Sequence, residues 1–412
     1  MTEEKYVNYY LDKIKKVQTI FTPSRPVTDK SIFSGRTEQL GDCLSIVNSP
    51  GLHGILFGDR GVGKTSMSNI VSIFINGMTA EIPDVPVRKY IKVECSSNDT
   101  FEYFIKSIYK KIDITVENDQ KIGFVREDSE TKTVSLHSLT GKDTSYYPQD
   151  IAQVLRQIPY ELFIAADEFD RLNPEVFKLD KFTDTLKCLS DSEQGSSTHF
   201  LVIGVGDNVN SILGSHASIE RNLIQIKMSV MSPNEIKGII TNGMTSLDMT
   251  MSEELINRIA DISCGYPHYT HLLSLYASQN ALSNFRDEVS EADLEYSITK
   301  SIERASEGLK KSYRDATLTN KQNIYPEVIY ACSICETDEY GLFQPKDIEN
   351  HLSRILKRQI KVNQFGAHLI RLCKQDRGSI LVQEGIKGRK KYRFKNPLMR
   401  AFVKLNGNRR TN

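Results

Sequence analysis

The stretch Gly58-Asp59-Arg60-Gly61-Val62-Gly63-Lys64-Thr65 fits G-x-x-x-x-G-K-[ST] at every defined position. An apolar run, Gly54 to Phe57, leads into it as a buried strand, and Met67, Ile70, Val71 and Phe74 recur on one helical face behind it. Strand, glycine-rich loop and helix in that order constrain the chain strongly. Phosphates carry negative charge and offer only acceptors, so backbone N–H groups turned inward at the positive end of a helix suit them. The glycines let the backbone come close, Lys64 reaches the β and γ phosphates, and Thr65 holds Mg²⁺. Gly58, Gly61, Val62, Gly63, Lys64, Thr65 and Ser66 are therefore the expected contacts to ATP and its Mg²⁺. A chance glycine-rich turn is the bland alternative, and the flanking strand and helix count against it.

About a hundred residues on, Glu161-Leu-Phe-Ile-Ala-Ala-Asp167-Glu168 is a buried apolar strand ending in two acids. Asp167 would anchor the Mg²⁺ shell and Glu168 would polarise the attacking water, the parts a metal-assisted ATPase requires. A strand-end Asp-Glu alone is often only a solvated pair; the full phosphate loop upstream gives it weight. The next buried strand, His199 to Val205, runs into Gly206-Asp207-Asn208, a polar tip suited to the γ-phosphate. Strands alternating with helices imply a parallel sheet with helices on both faces.

Length and composition frame the rest. A chain of 412 residues exceeds one ordinary core, and 39% hydrophobic with 25% charged residues is globular usage. No apolar run approaches the roughly 20 residues of a membrane helix, and the N-terminus lacks a secretion signal's apolar stretch. Seven scattered cysteines fit a reducing cytosol, so a cytoplasmic protein is expected. Cys332 and Cys335 form a C-x-x-C inside an apolar helical run, which reads as core packing.

Four segments follow. Residues 1–30 read as a helix, Tyr6 to Ile20, and a proline-containing connector. Residues 31–231 read as the α/β core, with an insertion at 113–148 whose Lys121–Val125 and Lys132–Leu136 stretches look like a hairpin. Residues 232–317 read as a helical lid, opened by the capping box Ser232-Pro233-Asn234-Glu235, with further starts at Ser252 and Ser290. Within it, Gly265-Tyr266-Pro267-His268 opens a helix. Residues 318–412 read as three helices and a hairpin, the pattern of a winged helix.

Charge divides unevenly along this plan. From Leu342 to Asn412 there are 18 lysines and arginines against 4 acidic residues, which leaves 35 against 48 elsewhere. A basic module on an acidic body suggests a polyanionic partner. The third helix would present His368, Arg371 and Lys374, and the wing Lys387, Arg389, Lys390 and Lys391. Duplex DNA is the expected partner; a protein-docking module and a charge kept for solubility are the alternatives.

This order of motifs resembles the AAA+ ATPases of the origin-recognition and initiator type, and is similar to the STAND class of bacterial NTPase switches, over about residues 31–405. The resemblance implies that Asp207 or Asn208 is sensor 1 and that Arg221 is an arginine finger acting on a neighbouring subunit's nucleotide. It implies an adenine-side role for Phe33, Gly35 and Arg36. Where initiators carry Gly-Asp-x-Arg, this chain has Gly265-Tyr266-Pro267-His268, the STAND-like step, which makes Pro267 and His268 the nucleotide-facing candidates there. The functional expectation is an ATP-hydrolysing switch that assembles on DNA. The other reading is a regulatory or defence NTPase whose winged helix docks a protein effector.

Overall fold

The computed structural model describes residues 3–81, 87–118, 130–140, 145–191, 197–206, 208–214, 219–318, 323–338, 341–385, 390–396 and 398–411. They divide into two compact units. One comprises Met1–Gly35, Asp59–Gly63 and Ser229–Asn412, the other Arg36–Gly58 and Lys64–Met228.

The second unit is built on strands β1 (His53–Gly58), β2 (Arg88–Glu94), β3 (Asp113–Asn118), β4 (Glu130–Ser135), β5 (Glu161–Asp167), β6 (Thr198–Val205) and β7 (Leu223–Met228). Five of these form one parallel sheet in the order β2-β5-β6-β1-β7. Near-continuous apolar runs such as Leu162–Ala166 and Phe200–Ile203 suit strands covered on both faces. Ile55, Phe57, Ile164, Ala166, Phe200 and Val202 share one core with the helices Phe101–Tyr109 and Leu179–Ser190. The helix Lys64–Glu81 packs against β1, β2 and β6, and buries Met67, Ile70 and Val71.

The insertion differs from its reading. Glu130–Ser135 pairs antiparallel with Asp113–Asn118, whereas Lys121–Val125 lies outside the described residues. The alternation Ile114, Val116 is as strand-like as the later stretch, and a period of two cannot choose between them. Just after the insertion stands an amphipathic helix, Pro148–Arg156, that buries Ile151, Ala152 and Leu155.

In the first unit the helix Glu3–Ile20 packs on the helix Pro267–Ser283. Lys13 fastens it, donating to Asp287 Oδ1 at 2.8 Å and to the Asp248 carbonyl at 3.0 Å. Phe21 lies where Gly243 has no side chain: a Cβ there would fall 2.3 Å from the ring. The capping box at Ser232 forms and helices start after Ser252 and Ser290, as expected; Ser252 also caps its helix by accepting the Leu255 N–H at 3.3 Å.

After the helix Glu307–Thr317 come helices Tyr325–Ile334, Pro345–Ile355 and Val362–Leu372, then an antiparallel pair, Leu381–Glu384 with Lys391–Phe394. They share one core, to which Phe343, Phe365, Leu369, Tyr392 and Phe394 contribute, together with Leu309 and Ala316 of the preceding helix. A last helix, Leu398–Thr411, was not read from the sequence. Asn396 Oδ1 caps it by accepting the Leu398 N–H at 3.1 Å, and Met399, Phe402 and Val403 complete the core.

Candidate functional site

The phosphate loop takes the backbone its glycines allow. Gly58 has φ 149°, and a Cβ there would sit 2.2 Å from the Met228 carbonyl oxygen, so no other residue fits beside the end of β7. Gly61 and Gly63 also have positive φ, 87° and 96°, and the space around Gly63 is open to 4 Å. That cradle, at the start of an 18-residue helix, fits a phosphate. Lys64 is buried, and its Nζ donates to the Gly58 carbonyl at 2.9 Å. Val62 is buried, and Thr65 and Ser66 are half-buried in the first helical turn.

Asp167 closes β5 and is buried. Its Oδ1 accepts the Glu168 N–H at 2.9 Å, and its Oδ2 stands 2.8 Å from Lys92 Nζ. Glu168 turns out of the strand with φ 57° and pairs with Arg171 of the following turn, both side chains about half exposed. Asp170 in that turn accepts the Val205 N–H at 2.8 Å, which ties the end of β6 to the acidic pair. Lys92, Asp170 and Arg171 were not singled out from the sequence. A lysine on the strand beside a phosphate-loop sheet is unremarkable until the strand order is known.

Asn208 is exposed just before the short helix Asn210–Leu213, its Oδ1 accepting the Ser211 N–H at 2.9 Å. Asp207 lies outside the described residues. Arg221 is exposed in the turn Glu220–Asn222 that leads into β7, and its side chain makes no hydrogen bond or ion pair among the described residues. Arg36 is buried with φ 60° and precedes the helix Thr37–Val47.

In the first unit Phe33 is half-buried, and Gly35 lies against Glu235, where a Cβ would fall 2.6 Å from the carboxylate. Gly265, with φ 77°, fits against the Met231 carbonyl, Tyr266 is buried, and Pro267 is the first residue of its helix. His268 Nδ1 lies 2.7 Å from the Pro23 carbonyl and its ring stands edge-on to Tyr269. That contact engages one ring nitrogen with the N-terminal connector. The nearest neighbours of Gly61 are Leu398, 3.1 Å from an added Cβ, and Tyr266 at 3.8 Å.

On the C-terminal module the exposed face of Val362–Leu372 carries Asn363, Gln364, Ala367, Ile370 and Arg371, and Lys374 continues it. His368 is turned away from that face, half-buried and edge-on to Tyr325 at 4.8 Å. Lys390 is half-buried, and Lys391 pairs with Asp338 at 2.8 Å. Lys387 and Arg389 lie outside the described residues.

No family model matches the sequence, and no curated protein matches it. Solved structures do. The ORC2 protein of Aeropyrum pernix, in ADPNP–ADP complexes, is 12% identical with a TM-score of 0.51, the match covering 93% of this chain and 99% of that one. The Walker-type ATPase PABY2304 of Pyrococcus abyssi is 15% identical over the same shares, also with a TM-score of 0.51. The chain has the AAA+ P-loop fold. In that fold β1 delivers the phosphate loop, β5 the acidic pair and β6 the polar tip. Two strand ends that are neighbours of β6 on either side therefore converge on one edge of the sheet.

Proposed function

We propose that this protein is an ATP-binding and ATP-hydrolysing switch that binds duplex DNA through its C-terminal module, a winged helix, and self-associates through Arg221. The observation that carries the reading is the phosphate loop: positive-φ glycines and a buried lysine at a helix start, on the sheet whose next strand but one ends in Asp167-Glu168. Lys64 and the loop N–H groups hold the triphosphate, Thr65 and Asp167 hold Mg²⁺, and Glu168 orients the water. Magnesium, when bound, neutralises charge on the phosphate oxygens. Phe33 and Arg36 serve the adenine side, Asn208 or Asp207 the γ-phosphate, and Pro267 and His268 the lid side.

DNA binding is supported by the excess of 18 basic over 4 acidic residues from Leu342 onward and by the exposed Arg371 and Lys374. Contacts of this kind fix the protein on phosphates and give strong salt dependence. All seven cysteines are free, which suits a reducing cytosol, and among the described residues no helix is long and apolar enough to cross a membrane. The test is duplex binding by the full chain and by Lys64→Ala, with ATP and with ADP. A response to nucleotide in wild type that the variant lacks supports the switch.

One observation favours a second reading, a regulatory NTPase whose module docks protein. The C-terminal helix is fastened to the helical segment: Lys404 donates to Asp261 Oδ1 at 2.9 Å, and Tyr269 Oη to the Leu398 carbonyl at 3.2 Å. Absence of salt-sensitive DNA binding together with tight, slowly exchanging nucleotide favours that reading.

A further inference from the structure

Beside the strand that ends in Asp167, β2 turns Tyr90, Lys92 and Glu94 toward the same face. β2 and β5 pair in parallel, with Lys92 opposite Ala165 and Glu94 opposite Asp167. Residues two apart on a strand share a face, so Lys92 and Asp167 are diagonal neighbours on one side of the sheet. The ammonium takes up that position, 2.8 Å from Asp167 Oδ2, with side chains only 24% and 6% exposed. Since Oδ1 already accepts the Glu168 N–H, both carboxylate oxygens are committed. Two residues back on β2, Tyr90 Oη meets Ser68 Oγ of the helix that follows the phosphate loop. The face that carries Lys92 is thus held against that helix.

We propose that Lys92 is the resident counter-ion of Asp167 and sets how strongly nucleotide binding depends on magnesium. The inference rests on the assignment of Asp167 to the metal shell. A buried carboxylate without a partner is costly, and a triphosphate arriving next to it adds like charge. Lys92 supplies one positive charge there whether or not a metal is present, so nucleotide binding without metal is weakened less. The same ammonium competes for Oδ2, so a divalent ion binds less tightly. Both effects lower the coupling between metal and nucleotide, and such coupling is reciprocal. Lys92 acts through Asp167 and is a positioning residue.

The experiment measures ATP affinity by calorimetry in magnesium and in EDTA, using the full chain and four variants. Lys89→Met removes the same charge from the opposite face of β2, where Lys89 Nζ lies 4.3 Å from the Tyr160 ring centroid. The ratio of the EDTA Kd to the magnesium Kd is expected to rise about tenfold in Lys92→Met and Lys92→Gln. It should stay at the wild-type value in Lys92→Arg and Lys89→Met. Lys92→Gln keeps a polar hydrogen-bonding group and serves if the methionine variant does not fold. An unchanged ratio in both neutral variants overturns the proposal, as does an equal rise in Lys89→Met. Wild type that binds no nucleotide in either buffer overturns the phosphate-loop reading itself.

Discussion

Lys64 and Glu168 test different halves of the chemistry. Lys64 is buried and donates to the loop's own Gly58 carbonyl at 2.9 Å, so its ammonium is held where phosphates would sit. Lys64→Ala is expected to abolish high-affinity ATP binding, measured by calorimetry. With Glu168 in its proposed role of orienting the water, Glu168→Gln should keep ATP affinity within about twofold and stop phosphate release. It also breaks the exposed pair with Arg171, which should change stability by no more than about 0.5 kcal/mol. These two residues were legible because their spacing to glycines and to an apolar strand is fixed by the motif. Lys92 and Asp170 were not, since their partners are set by strand order, which no local pattern encodes. His368 shows the same limit: helical period places it at the border of the buried face, and Tyr325, from another helix, decides its orientation.

At the scale of elements, the C-terminal helix was the largest omission. Its apolar residues, Leu398, Met399, Ala401, Phe402, Val403 and Leu405, crowd into its first eight positions and its later residues are polar, so no helical stripe runs its length; Arg400 shows what fastens it. That side chain donates to the Ser333 carbonyl at 2.9 Å, to Thr337 Oγ1 at 3.0 Å and to the Cys335 carbonyl at 2.6 Å. The carbonyls at the end of the helix Tyr325–Ile334 would otherwise lack partners. Arg400→Met should therefore destabilise the chain by about 2 kcal/mol in urea unfolding, the usual cost of leaving part-buried acceptors unmet. The turn Glu220–Asn222 carries a separate prediction. Arg221→Ala should leave ATP affinity of the isolated subunit unchanged but remove any rise of specific activity with protein concentration. Wild-type activity that ignores concentration would rule out a role for Arg221 on a neighbouring subunit's nucleotide. Helix starts at Ser232, Ser252 and Ser290 were readable because a capping serine acts within one turn; the partner of Glu130–Ser135 was not, because two equally alternating stretches compete for it.

For the whole molecule, acid lability follows from buried imidazoles. Burial lowers His53 to about 3 and His271 to about 4, with neighbouring histidines adding to the effect, and it lowers His199 as well. The unfolded chain binds these protons near pH 6.5, whereas the folded chain resists them. The unfolded state thus holds more protons between roughly pH 6.5 and 3, and stability falls as pH drops through that window. Urea midpoints should be flat near pH 7 to 8 and decline below about 6.5, and His53→Gln, if it folds, should flatten the decline. The α/β core and its order of motifs could be read from the sequence because buried parallel strands are continuous apolar runs. The fastening of the C-terminal helix through Lys404 to Asp261 could not, since it depends on tertiary contact.

In the proposed function, nucleotide state governs DNA binding by the basic module. It is tested by the affinity of the full chain for duplex DNA between about 50 and 200 mM salt, with magnesium and ATP or ADP. Affinity should fall steeply with salt, with a slope flattened by about one to two units in Lys374→Ala/Lys390→Ala, and differ by at least about fivefold between ATP and ADP. Duplex binding that is absent, or salt-sensitive but equal in the two nucleotides, would contradict it.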